Sequence, residues 1–132
     1  MKSTIAIGNA STLEFKVTQS MTPTFHGEQV HPVCSTWDLA HQFELASRYA
    51  LEPHLESHEQ GIGAELSVKH LKPAPIGKNV TVCATISALD STTVVCDIKA
   101  KVGDSLIATG SQVQRVLPSD KIRDLIQNAE DA

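Results

Sequence analysis

Ser35-Thr36-Trp37-Asp38-Leu39-Ala40-His41-Gln42-Phe43-Glu44-Leu45-Ala46-Ser47-Arg48-Tyr49-Ala50-Leu51 sets the architecture of this chain. Ser35 offers a hydroxyl for an N-cap, Asp38 lies three residues on as in a capping box, and Pro53 closes the run just after Leu51. The segment is expected to form a helix of about four turns. At roughly 100° per residue, Leu39, Ala40, Phe43, Ala46, Ala50 and Leu51 share one sector, with Glu44 at its edge beside the small Ala40 and Ser47. Trp37, Leu45 and Tyr49 make the remaining side apolar as well. A helix apolar over so much of its circumference is expected to be covered on more than one side and to form the centre of the fold.

Strand patterns flank it. Leu13 to Val17 alternates apolar and charged residues, the period of a half-buried strand. Residues 18 to 33 hold Pro23, Gly27 and Pro32 and read as a loop. Beyond the helix, Ile62, Ala64, Leu66, Val68 and His70 alternate with Glu65, Ser67 and Lys69, which puts His70 on the apolar face. Lys72-Pro73-Ala74-Pro75-Ile76-Gly77 breaks the pattern, and Val80, Val82, Ala84 and Ile86 resume it up to a turn at Asp90-Ser91. Val94 to Val102 follows, then a tight return at Gly103-Asp104 into Leu106, Ala108, Gly110, Gln112 and Gln114. The four later strands are expected to form an antiparallel meander. With a short helix over about 119–128, the layout is α+β: a curved antiparallel sheet wrapped around one long central helix.

Length and composition bound the rest. The 132 residues fit one domain, residues 1–132, with a core over about 13–117. Apolar residues make up 41% and charged residues 20%, and no apolar stretch approaches a membrane span. The start lacks a signal-peptide pattern, so a soluble, cytoplasmic protein is expected. Cys34, Cys83 and Cys96 are odd in number and show no Cys-x-x-Cys spacing, which points to buried free thiols. Cys34, close to the helix start, is the one thiol placed to act as a nucleophile. Residues 1–65 carry a charge of −5 and residues 66–116 a charge of +3. That basic half suits a phosphorylated small ligand, but it lacks the cation density and interleaved aromatics of a nucleic-acid surface. His54 and His58 stand four apart, yet Pro53 and nearby Gly61 disfavour the helix a metal pair would need.

Thr36, Glu44 and His70 bring a hydroxyl, a carboxylate and an imidazole, the parts used in acyl transfer. The order of Thr36 and Glu44 on a helix, then Gly61-x-Gly63, then Val68-Lys69-His70-Leu71-Lys72-Pro73-Ala74-Pro75-Ile76-Gly77, resembles the hotdog-fold acyl-CoA thioesterases of the fluoroacetyl-CoA thioesterase-like group. The resemblance implies a homodimer, with pairing into tetramers left open, and a site at the subunit interface. It implies hydrolysis of a short acyl thioester of coenzyme A without metal or other cofactor. Thr36, Glu44 and His70 match that group's catalytic positions, and Gly63 matches a glycine lining the acyl pocket.

Glu44 and His70 are then expected to activate attack on the thioester, with Thr36 as nucleophile or as a group that positions water. Each residue also has an ordinary reading: an N-cap for Thr36 or Ser35, a solvated helix carboxylate for Glu44, a core histidine for His70. A non-catalytic acyl-CoA-binding or sensing module is the alternative function. A hotdog hydratase ranks last, because Asp38 is better explained as a helix-start acid. One constraint is geometric: Thr36 and Glu44 lie about 12 Å apart along a helix axis, too far for a direct hydrogen bond. Either Thr36 precedes the helix on a chain that folds back, or the carboxylate meets a group from a second subunit.

Overall fold

The computed structural model describes residues 1–132. In chain order it comprises β1 (Ala10–Lys16), β2 (Thr24–Phe25), β3 (Glu28–Gln29), α1 (Thr36–Leu51), β4 (Glu59–His70), β5 (Asn79–Leu89), β6 (Thr93–Val102), β7 (Ser105–Pro118) and α2 (Ser119–Glu130). The long elements fall where the sequence periods place them. Their order in the sheet differs from the expectation.

Five strands form one antiparallel sheet in the order β1-β5-β6-β7-β4. Only β5, β6 and β7 are a meander. β4 does not pair with β5; it lies at the far edge against β7. The reason is in the connection: Pro73 and Pro75 remove two ladder donors, and the segment is tied instead to the chain entering α1, through Cys34 N–H to Ala74 C=O at 2.8 Å and a bridge of Val33 with Pro75. The chain thus crosses from one edge strand to an interior one, whereas Gly103, at φ 58°, turns β6 tightly into β7.

β4 carries a bulge. Gly63 faces Gln114 and Glu65 faces Val113, so Ala64 is the extra residue. The bulge reverses the side-chain parity: Gly61 and Gly63 point toward α1 before it, and Leu66, Val68 and His70 after it. Ile62, expected on the same face as His70, pairs across from Arg115 on the opposite face. The assignment of His70 to the helix-facing side holds.

α1 packs against the inner face of all five strands. Leu39, Phe43, Ala46, Ala50 and Leu51 are buried against Val80, Val82, Ala84, Ile98 and Ala108. Phe43 is fully buried, and its truncation to alanine is worth about 3–5 kcal/mol. Gly110 lies beneath it, where a Cβ would run into Phe43 and the Ser67 carbonyl. The helix is nevertheless covered on one side only: Trp37 and Tyr49 are about half exposed, at 51% and 45%. Trp37 gains one companion from the segment expected to be plain loop, where β2 and β3 form a small hairpin. His26 and Gly27 turn it at φ 53° and 81°, and Phe25 meets Trp37 edge-on at 5.5 Å.

Candidate functional site

Ser35, not Thr36, caps α1: its Oγ accepts the Asp38 amide at 3.1 Å. Asp38 returns no bond to the Ser35 amide, which donates to the Met21 carbonyl instead. Thr36 is therefore the first helical residue and its hydroxyl is free for other work. It hydrogen-bonds His70 Nδ1 at 3.0 Å. His70 ends β4, at the mouth of a cleft of about 300 Å³ lined with Val33, Leu71, Lys72 and Pro73. Its Nε2 is buried and meets no protein donor or acceptor. A hydroxyl joined to one ring nitrogen, with the other nitrogen uncommitted, is a nucleophile-and-base arrangement.

Glu44 sits two turns along α1, and the structure does not join it to Thr36 or His70. It is exposed at the surface of the chain and lines two hollows. One, of about 210 Å³, is shared with Gly63, Ala64, Glu65 and Leu66; the other, of about 180 Å³, with His41, Leu45 and Arg48. The carboxylate lies over Gly63, where a Cβ would stand 2.5 Å from Glu44 Oε1. A side chain at this position would have to push the Glu44 carboxylate aside, so glycine is what lets it sit there. Glu44 Oε1 accepts the Nε2–H of Gln112 at 3.4 Å, a long hydrogen bond. Gln112 was visible in the sequence as an inward-facing amide on β7; nothing there connected it to a carboxylate 68 residues earlier.

Cys34 is the candidate the structure removes. It is buried, and burial together with the nearby Asp38 carboxylate pushes its thiol up to about 12. A thiol so disfavoured as thiolate does not act as a nucleophile near neutral pH. Asp38 itself is raised by burial, partly opposed by His41. His54 and His58 do not share a helix face: His54 ends a short 3₁₀ turn, where Nδ1 bonds the Thr4 hydroxyl at 2.8 Å, and His58 accepts from Ser119 through its main-chain carbonyl. No three His, Cys, Asp or Glu side chains gather in metal-binding geometry, and no helix is long and apolar enough to cross a membrane.

Solved structures share this architecture. A hypothetical protein of Thermus thermophilus, a thioesterase superfamily member, superposes with TM-score 0.91 at 32% identity, covering 98% of this chain and 96% of its own. A hot-dog-like protein from Thermanaerovibrio acidaminovorans gives 0.86 at 24% identity over 93% and 91%. The fluoroacetyl-CoA thioesterase FlK gives 0.84 at 22% identity over 94% and 96%. No curated protein sequence matches the chain. The fold is that of the hotdog thioesterases. Residues 17–120 also match the sequence model of the fluoroacetyl-CoA-specific thioesterases, and the chain belongs to that family.

Proposed function

We propose that this protein hydrolyses a short acyl-CoA thioester to the free acid and coenzyme A, with Thr36, Glu44 and His70 as its catalytic residues. The observation that carries the reading is the 3.0 Å hydrogen bond between Thr36 Oγ1 and His70 Nδ1 beside an open cleft, in a chain of thioesterase lineage. The acyl carbonyl carbon is the electrophile. On one route Thr36 Oγ attacks it while His70 takes the hydroxyl proton, the C–S bond breaks and the protonated thiol of coenzyme A leaves; water then cleaves the acyl-Thr36 ester. On the other, Glu44 takes a proton from a water that attacks the carbonyl carbon directly while Thr36 and His70 steady the oxyanion; the C–S bond then breaks and the proton passes from Glu44 to the departing thiolate. Gly63 belongs to the wall of the acyl pocket. Mass spectrometry after quenching separates the routes, because only the first leaves an acyl adduct on Thr36.

The site is completed in a homodimer. β4 is bonded on one side only, to β7, and its other edge runs for 12 residues with Ile62 and Leu66 exposed. An edge of that length invites a second strand, and a second copy laid along it would cover Glu44, which one chain leaves in solvent. Mixing subunits tests both points. Glu44→Gln and His70→Ala chains, each inactive alone, are expected to regain activity when exchanged into mixed dimers if each site draws on two chains. No recovery would place each site within one chain.

The exposure of Thr36 and Glu44 in the single chain is what favours the second reading, a module that binds acyl-CoA without turnover. Thiol release from a panel of short, branched and aromatic acyl-CoAs decides between them. Binding without free coenzyme A above background would establish the module.

A further inference from the structure

We propose that Gln112 is the positioning residue of Glu44: from the buried face of β7 it holds the carboxylate over Gly63, in the orientation from which Glu44 takes its proton. The inference rests on the thioesterase reading for what Glu44 does, and it adds a residue to which that reading gives no role.

Packing alone does not explain an amide here. Gln112 is 2% exposed and stands among the largest fully buried side chains. Its inner-face neighbours are Gly110 on its own strand, Leu66 across on β4 and Cys96 across on β6. Its Oε1 is buried with no donor. An apolar side chain of the same length would fill the space without leaving a polar atom unmatched, so the amide is the less stable choice for the core alone. Its hydrogen bond goes to Glu44.

Gln114 supplies an internal contrast. It occupies the next position on the same face, is 3% exposed, and donates its Nε2–H to the main-chain carbonyl of Ser47 at 3.2 Å. That bond ties sheet to helix and touches no ionisable group. Gln112 reaches a side chain instead, one that would otherwise sweep through several rotamers at the surface. Glu44 Oε1 takes the Gln112 donor beside Gly63, which leaves Oε2 for proton transfer. A neutral donor orients the carboxylate without the full positive charge that would blunt it as a base.

Gln112→Met tests this, with Gln114→Met as the control and Gln112→Leu as a second apolar variant that likewise removes the donor. Gln112→Met is expected to keep or raise the thermal midpoint, to lower kcat about tenfold or more, and to leave KM within about twofold. In its crystal structure, and in that of Gln112→Leu, the Glu44 carboxylate should have left Gly63. Gln114→Met should lower the thermal midpoint with kcat unchanged. Full kcat in Gln112→Met, or Glu44 still seated over Gly63 in either variant, overturns the proposal. A native chain that releases no thiol from any acyl-CoA would remove the thioesterase reading, while the position of Glu44 in the variant crystals would still decide what Gln112 does.

Discussion

Two stretches of α1 present chemistry in opposite ways. At its first turn, Thr36 is locked to His70 by a hydrogen bond within the chain, 34 residues apart in sequence. Two turns on, Glu44 lies over Gly63 and accepts one long hydrogen bond from Gln112, yet remains exposed. The first pair is assembled by the fold of one chain; the second group is only aimed by it. Burial of the sheet-facing side of α1 is enough to place both, but it leaves Thr36 and Glu44 exposed, and exclusion of water is what makes a carboxylate an effective base.

The largest expected effect comes from erasing the aimed group. Glu44→Gln should cut kcat by roughly 10²–10⁴, with the thermal midpoint nearly unchanged because the side chain is exposed. An unaltered rate would mean that the Thr36 end works alone. Gly63→Ala comes next: its methyl would displace Glu44 Oε1, and a misplacement of about 1 Å costs on the order of 10² in rate. A crystal structure of that variant should keep the Thr36 to His70 bond intact, showing that the two ends are independent. Thr36→Ser against Thr36→Val probes the other end. Serine should retain most of the rate and valine should lose about tenfold or more; equal rates would relieve the hydroxyl of any role. The smallest effect is expected from iodoacetamide at pH 8. With its thiol near 12, Cys34 is ionised to about one part in ten thousand at that pH, so activity should persist while mass spectrometry finds the label on the half-buried Cys83. Modification of Cys34 with loss of activity would make the thiol, rather than the hydroxyl, the nucleophile at the helix start.

Much of this was legible before any coordinates. α1 and the long strands declare themselves by their periods, and the rise of a helix already separates Thr36 from Glu44. The partner of Thr36 was not legible, because His70 reaches it through the crossing of β4 to the far edge, and alternation does not say which strand lies beside which. The bulge was hidden for a related reason: Ala64 fits either parity, so Ile62 and His70 seem to share a face until the pairing with β7 is seen. The one-sided cover of α1 follows from the same limit. An apolar helix surface asks for cover without saying whether the same chain provides it, and Trp37 stays about half exposed even with Phe25 against it.

Ala64, the extra residue in β4, behaves as a phase shifter between the two halves of the site. Gly63 and His70 stand seven residues apart, an odd count that strict alternation would send to opposite faces. The extra residue lets both face α1, and an insertion or deletion between the bulge and His70 would turn the imidazole to the outer surface and leave Thr36 without it. The shared face of Gly63 and the His70 imidazole is therefore held by a backbone irregularity, and substitutions along β4 that leave the count of residues alone keep the two in phase.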